Sequence, residues 1–314
     1  MTGGRDPARQ RASLGLAMVV AAGVLWGTGG LVVTVLHERD ALGAMTVSAW
    51  RMALAAVALV GFSAATSRLA TVTTAFRRHP WTAALVGVGT ATYQGLYFVS
   101  VLLVGVSVST VVALGLAPVL ATVWEKAVAR RWPSAREIAV LAAALAGLVL
   151  ISTTAAAEDA KVGDRPALGL VLAVAAGATY AATTVLGHRL AQEVDPVALT
   201  TCATLAGTVA LLPFLLVAAV HGQPVLPSGP ATAALLLYLG VGTMALSYGL
   251  LYAGLRTTSG AAATVATLVE PLSAALLAAV LLGERLTPLA LVGGALILAA
   301  VLALRPSDER PAPA

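Results

Sequence analysis

The chain has 314 residues, of which 59% are hydrophobic and 11% charged, with a formal net charge of +5 and a mean hydropathy of +0.92. A soluble domain carries about 25% charged residues, so this composition excludes a soluble globular fold. The small basic excess is too diffuse for a nucleic-acid footprint, and the bilayer is the expected solvent.

The apolar residues come in blocks of about 20, the length a helix needs to cross about 30 Å of hydrocarbon. In chain order the predicted spans are Leu14–Leu36, Met45–Ala64, Trp81–Leu103, Ser107–Val128 and Ala135–Thr153. After a polar loop come Ala167–Gly187, Val197–Val220, Ala231–Leu255, Gly260–Leu282 and Thr287–Leu304. The expected organisation is a tail over 1–13, a five-helix half over 14–153, a connecting loop over 154–166, a second half over 167–304 and a tail over 305–314. No alternation of apolar and polar residues suits a membrane barrel. The fold class is an all-α integral membrane protein of ten transmembrane helices.

The first block follows Arg5, Arg9 and Arg11, as a signal peptide would. Its apolar stretch is longer than such signals use, and Trp26-Gly27 falls where a small-residue cleavage site would sit. It is read as a mature helix.

Lys and Arg in the loops set orientation. With the N-terminus in the cytoplasm, fourteen of these residues lie inside, among them Arg68, Arg77, Arg78, Arg130, Arg131 and Arg256. Only Arg39, Lys161, Arg165 and Arg285 lie outside, and Arg51 is within a helix. Both termini are therefore expected in the cytoplasm. The single cysteine, Cys202, cannot form an internal disulfide.

An internal repeat is the most informative feature. Leu14-Gly15-Leu16 and Val20-Ala21-Ala22-Gly23 recur as Leu168-Gly169-Leu170 and Val174-Ala175-Ala176-Gly177, with Trp26 opposite Tyr180. Gly89-Thr90 matches Gly242-Thr243, Val112-Ala113 matches Val265-Ala266, and Pro118 matches Pro271, all at one offset. Five spans per half is an odd number, so the halves are expected to enter the membrane from opposite sides. Such inverted repeats occur in secondary transporters, with the substrate site near midplane at the repeat interface.

Several residues stand out against this frame. Glu270 falls about 15 Å into the ninth span at 1.5 Å per residue, and a carboxylate at that depth is costly and functional by default. It can engage a substrate amine or a proton, or hold a kink through a neighbouring helix. Pro271 removes a backbone donor beside it, and Pro118 has the same kink reading without the charge. Arg51 lies about 9 Å inside the second span; it can snorkel outward, grip a substrate carboxylate or pair with Glu270. Tyr93, Gln94 and Tyr97 in the third span, and Tyr248 and Tyr252 in the eighth, suit a cavity wall or an ordinary helix contact. Trp26 and Tyr180 are cavity candidates, one per half. Gly23 with Gly27, and Gly177 with Ala181, read as close-packing faces. Glu125, Lys126, His188, Arg189 and Arg256 are interfacial anchors or gate charges.

Four histidines are scattered, and no HExxH, phosphate loop or nucleophile elbow is present. No catalytic residues, metal or cofactor are therefore expected, and an enzyme is the least supported class. A channel or uniport facilitator is the alternative to a secondary transporter.

Together, Trp26-Gly27, Arg51, Glu270-Pro271 and the run Gly283-Glu284-Arg285-Leu286-Thr287-Pro288 resemble the drug/metabolite transporter superfamily, in particular proteins with two EamA-type domains. That resemblance implies ten helices, cytoplasmic termini in the plasma membrane, a central cavity, and export of amino acids or related metabolites. The expected partners are a small-molecule substrate, the lipid bilayer, protons or other coupling ions, and a second copy if the protein is a homodimer. The first half departs from the pattern. Arg130-Arg131-Trp132 stands where the second half has Gly283-Glu284-Arg285, and Ala117 stands where it has Glu270.

Overall fold

The computed structural model describes residues 7–155, 165–282 and 287–304. Among these residues every regular element is helical. In chain order they are α1 (Pro7–Asp40), α2 (Ala44–Ala65), α3 (Leu69–Arg78), α4 (Pro80–Val104), α5 (Val106–Ala129) and α6 (Ala135–Ala155). The second half holds α7 (Pro166–Ala191), α8 (Pro196–Val220), α9 (Pro230–Gly240), a π-helical turn (Val241–Leu246) and α10 (Ser247–Gly254). It ends with α11 (Gly260–Ala266), α12 (Val269–Leu282) and α13 (Pro288–Ala303).

Nine helical stretches among the described residues are long and apolar enough to cross a membrane, and α13 supplies a shorter tenth of 16 residues. The chain is thus a multi-pass membrane protein. The eighth span is one rod running from α9 through the π turn into α10. The ninth is two pieces, α11 and α12. The connecting loop, the run Gly283–Leu286 and both tails' outer residues lie outside the described part.

Two features depart from the expected spans. The connection between the second and third spans is not a plain polar loop, because α3 forms there. Its ten residues are too few to cross a bilayer, and only Val72 and Ala75 are buried. This is the pattern of an interfacial helix with one apolar stripe. The third and fourth spans are joined through Gly105 alone, at φ +83°, a conformation that glycine adopts without a Cβ penalty.

Helix pairing follows the repeat. The first span packs on the eighth and ninth, and the sixth packs on the third and fourth. The second packs on the seventh, and the fifth on the tenth. Exchanging the halves maps each pairing onto another or onto itself. Small residues let these crossings close. A Cβ at Gly147 would lie 2.5 Å from the carbonyl oxygen of Gly293, so α6 and α13 meet backbone to backbone. The matched glycines behave alike. Gly23 lies against Thr267 and Val269 of the ninth span, and Gly177 against Ala113 and Leu116 of the fourth.

Candidate functional site

The ninth span is interrupted at Thr267–Leu268, just ahead of Glu270 and Pro271. The proline explains the place. It offers no N–H to the carbonyl four residues back, and its ring crowds that group; that carbonyl belongs to Thr267. Glu270 N–H takes it over at 2.9 Å, and Leu268 N–H donates to Val265 O at 3.1 Å, so the backbone tightens and restarts. Glu270 thereby falls in the first turn of α12, where helix amide groups favour negative charge. Pro118, its counterpart, sits inside a continuous α5, and the Thr122 hydroxyl donates to its carbonyl at 2.7 Å.

The second irregularity is the π turn. Thr243 lies within it, and its carbonyl accepts from Trp26 Nε1 at 3.0 Å and from Ser247 Oγ at 2.6 Å. Its hydroxyl accepts from Arg51 Nη2 at 3.1 Å and donates to Leu239 O at 2.7 Å. One threonine thus ties the first, second and eighth spans together. Isolated π turns are frequent at functional sites.

Around these two irregularities the aromatic candidates form two pairs. Trp26 tilts against Tyr248 and Tyr180 stacks on Tyr93, each with ring centroids 5.0 Å apart. The first pair joins spans one and eight, the second joins their counterparts, six and three. Tyr180 also shares a hydrogen bond with Thr267 Oγ1 at 3.0 Å, at the break itself. Glu270 is within electrostatic reach of Arg51, Tyr93, Tyr180 and Tyr248. Its half-buried carboxylate accepts no hydrogen bond among the described residues, and no ion pair joins it to Arg51 there. Thr90, Tyr93, Tyr180, Tyr248 and Tyr252 line a small cavity of about 10 Å³, room for about one water. Its walls are aromatic faces with hydroxyl tips.

Tyr97 shares a hydrogen bond with Thr110 Oγ1 at 2.8 Å, seaming the third span to the fourth. Tyr252 packs on Gly187, where a Cβ would lie 2.9 Å from its ring. Gln94 is buried, and neither amide atom has a partner. Glu125 accepts from Ala261 N at 2.8 Å, capping α11 from α5, and the Arg189 guanidinium lies 5.6 Å from the Trp124 ring centroid. Thr243 and Thr267 were not candidates from the sequence. The only signal for Thr243 was its place in the matched pair with Thr90. Among the described residues no group of three His, Cys, Asp or Glu side chains is placed to hold a metal.

The profile of the EamA-like transporter family matches the chain twice, over residues 13–153 and 167–305. The chain is 29% identical over 226 residues to the uncharacterized transporter YwfM of Bacillus subtilis, covering 72% of this chain and 73% of that protein. It is 30% identical over 166 residues to an uncharacterized transporter of Archaeoglobus fulgidus, covering 53% of this chain and 56% of that one. A solved crystal structure of 18% identity shares the fold, with a TM-score of 0.77 over 93% of this chain and 96% of that one. One family match per five-span half accounts for nearly the whole sequence, and the chain belongs to the EamA-like transporter family, a multi-pass membrane transporter of small molecules.

Proposed function

We propose that the protein is a secondary transporter that exports amino acids or related small metabolites across the plasma membrane, by alternating access around the site between its two halves. The observation that carries the reading is Glu270, a carboxylate with no hydrogen-bond partner among the described residues, in the first turn after a helix break and within electrostatic reach of Arg51 and three tyrosines. A charge left without a partner inside a membrane protein is costly, and a substrate ammonium or a proton satisfies it when the site is loaded. Discontinuous spans at the repeat interface are where transporters place such sites. The two halves run in opposite senses, and both termini are cytoplasmic, as the Lys and Arg bias favours.

The test is efflux from loaded cells over a panel of amino acids and metabolites, with and without the protein. Glu270→Gln keeps the side chain's shape and removes its charge. The variant is expected at normal membrane levels with at least about a tenfold loss of flux, or with the pH dependence of flux gone. Full flux with unchanged pH dependence refutes the role, and loss of expression assigns the carboxylate to folding. Flux that fails to saturate with substrate would favour the channel-like alternative. A reporter fused at residue 160 should read extracytoplasmic, and one at Arg77 cytoplasmic; the reverse would overturn the orientation.

A further inference from the structure

Several buried serine and threonine hydroxyls in this protein return a hydrogen bond to the carbonyl four residues back in their own helix. Thr90, Thr200, Thr201, Thr243, Ser247 and Ser273 all do so at 2.6–2.8 Å. Ser48 does not. Its side chain is 0% exposed and its hydroxyl has no partner. One turn along α2, Arg51 Nε is buried without a partner too, although Nη2 of the same guanidinium is held by Thr243. Across from them on α4, Gln94 is 6% exposed with both amide atoms unpartnered.

The register of the two helices puts these atoms in one place. A side chain at Gly95 would meet Met45 Cε at 3.4 Å, which sets the outer end of the α2–α4 seam. Met52 and the carbonyl of Gly87 both lie against Gly207, which sets the other end. Met45, Ser48 and Met52 share one face of α2. Ala91, Gln94 and Gly95 share the facing side of α4, while Gly87 turns toward Ala203 of α8. Ser48 and Gln94 therefore lie in the same short stretch of seam, and Arg51 is a helical neighbour of Ser48 at i+3. The remaining orphans, Ser63 and Thr258, are elsewhere; Ser63 is about 22 Å further along α2.

Each buried polar atom left unpaired costs about 1–3 kcal/mol, and native proteins keep few of them. Four on one seam, beside the site, call for a guest that supplies what they lack. Three are donors: an O–H, a guanidinium N–H and an amide N–H. The chemistry that satisfies convergent donors including an arginine is an anionic oxygen pair.

We propose that Ser48, Arg51 and Gln94 form a subsite for the carboxylate of the transported molecule, with Glu270 taking its ammonium end. The subsite rests on the reading of the Glu270 site as the substrate site, and it makes the substrate a zwitterion recognised at both ends.

The test uses purified full-length protein and thermal stabilisation by the L-amino acids, each paired with its decarboxylated amine. The expected result is that at least one acid stabilises the protein and its amine does so about tenfold more weakly. Ser48→Ala and Gln94→Leu should each weaken the acid several-fold and leave the amine unchanged. Gln94→Glu, which sets a negative charge against the carboxylate, should abolish acid binding and keep amine binding, a split that general damage to folding would not produce. Acid and amine bound equally well, acid binding untouched in both neutral variants, or no acid bound at all would each overturn the subsite. The readout is separate from that of Glu270. Carboxylate discrimination in a protein whose flux ignores Glu270→Gln would keep the subsite and overturn the ammonium role.

Discussion

The two halves share one helix arrangement and one set of pairings, yet among the described residues only the second has spans with broken backbone. The third span is α-helical throughout, whereas its counterpart, the eighth, holds a π turn at Val241–Leu246. The fourth span passes Pro118 without interruption, whereas the ninth parts before Pro271. Proline alone therefore does not break a span here. The difference lies in what meets the freed groups. In the second half, Trp26 and Ser247 take the Thr243 carbonyl, and Tyr180 binds the Thr267 hydroxyl. Non-helical backbone at membrane depth is tolerated where protein or a cavity satisfies it. The first half has Leu114 where the second has Thr267, and where the second has Thr243 it has Thr90, whose hydroxyl returns to Val86 O, and it keeps its helix. The first half keeps continuous helices, and the second carries both irregularities.

The sharpest way to break this comparison is to move the charge. Glu270→Ala should lower flux at least about tenfold, and adding Ala117→Glu should not restore it, because α5 offers no helix start at that level. Recovery in the double variant, measured as efflux at matched expression, would show the halves to be interchangeable.

The prolines give the next largest contrast, this time in stability. Pro118 lies inside a helix, where proline costs up to about 3 kcal/mol, so Pro118→Ala should raise the thermal midpoint. Pro271 is the third residue of α12, where an N–H has no acceptor within the helix. Pro271→Ala should therefore change stability by less than about 1 kcal/mol. Equal shifts in detergent melting curves would remove the distinction between an interrupted and a continuous span.

The smallest expected effect separates the matched threonines. Thr243→Val removes the hydroxyl that holds Arg51 and leaves a buried guanidinium group less paired, a loss of about 2 kcal/mol. Thr90→Val removes a hydroxyl that donates to its own helix, to Val86 O, and meets only the uncharged Tyr248 and Tyr252 hydroxyls besides, and should cost about 1 kcal/mol. Melting curves of the two variants, with flux as a second reading, check the order.

Much of the arrangement was legible in the chain. Glu270, Arg51, Tyr93, Tyr180 and Tyr248 were candidates because charge and hydroxyls are rare in apolar spans, and they come within reach of one another. Tyr97 and Tyr252 follow from the same spacing rule; Tyr97 bonds to Thr110 across a helix contact, whereas Tyr252 lines the cavity and also packs on Gly187. Periodicity places residues on a face and does not say how deep along the helix the cavity reaches. The α3 helix was missed because its apolar stripe is only two buried residues wide, too little for a pattern based on membrane length.

The sequence by itself determined the solvent, the number of spans, the repeat and the residues whose burial would be costly. These follow from transfer free energies summed over about 20 residues, and such sums survive the loss of all long-range information. Only the tertiary structure decided where the backbone departs from the α-helix. A π turn or a break shifts a few hydrogen bonds, and its cost is offset by partners distant in sequence: Trp26 is 217 residues from Thr243 and Tyr180 is 87 from Thr267. No local window holds both members of such a pair, so the irregular places that make the site were settled only when the spans packed.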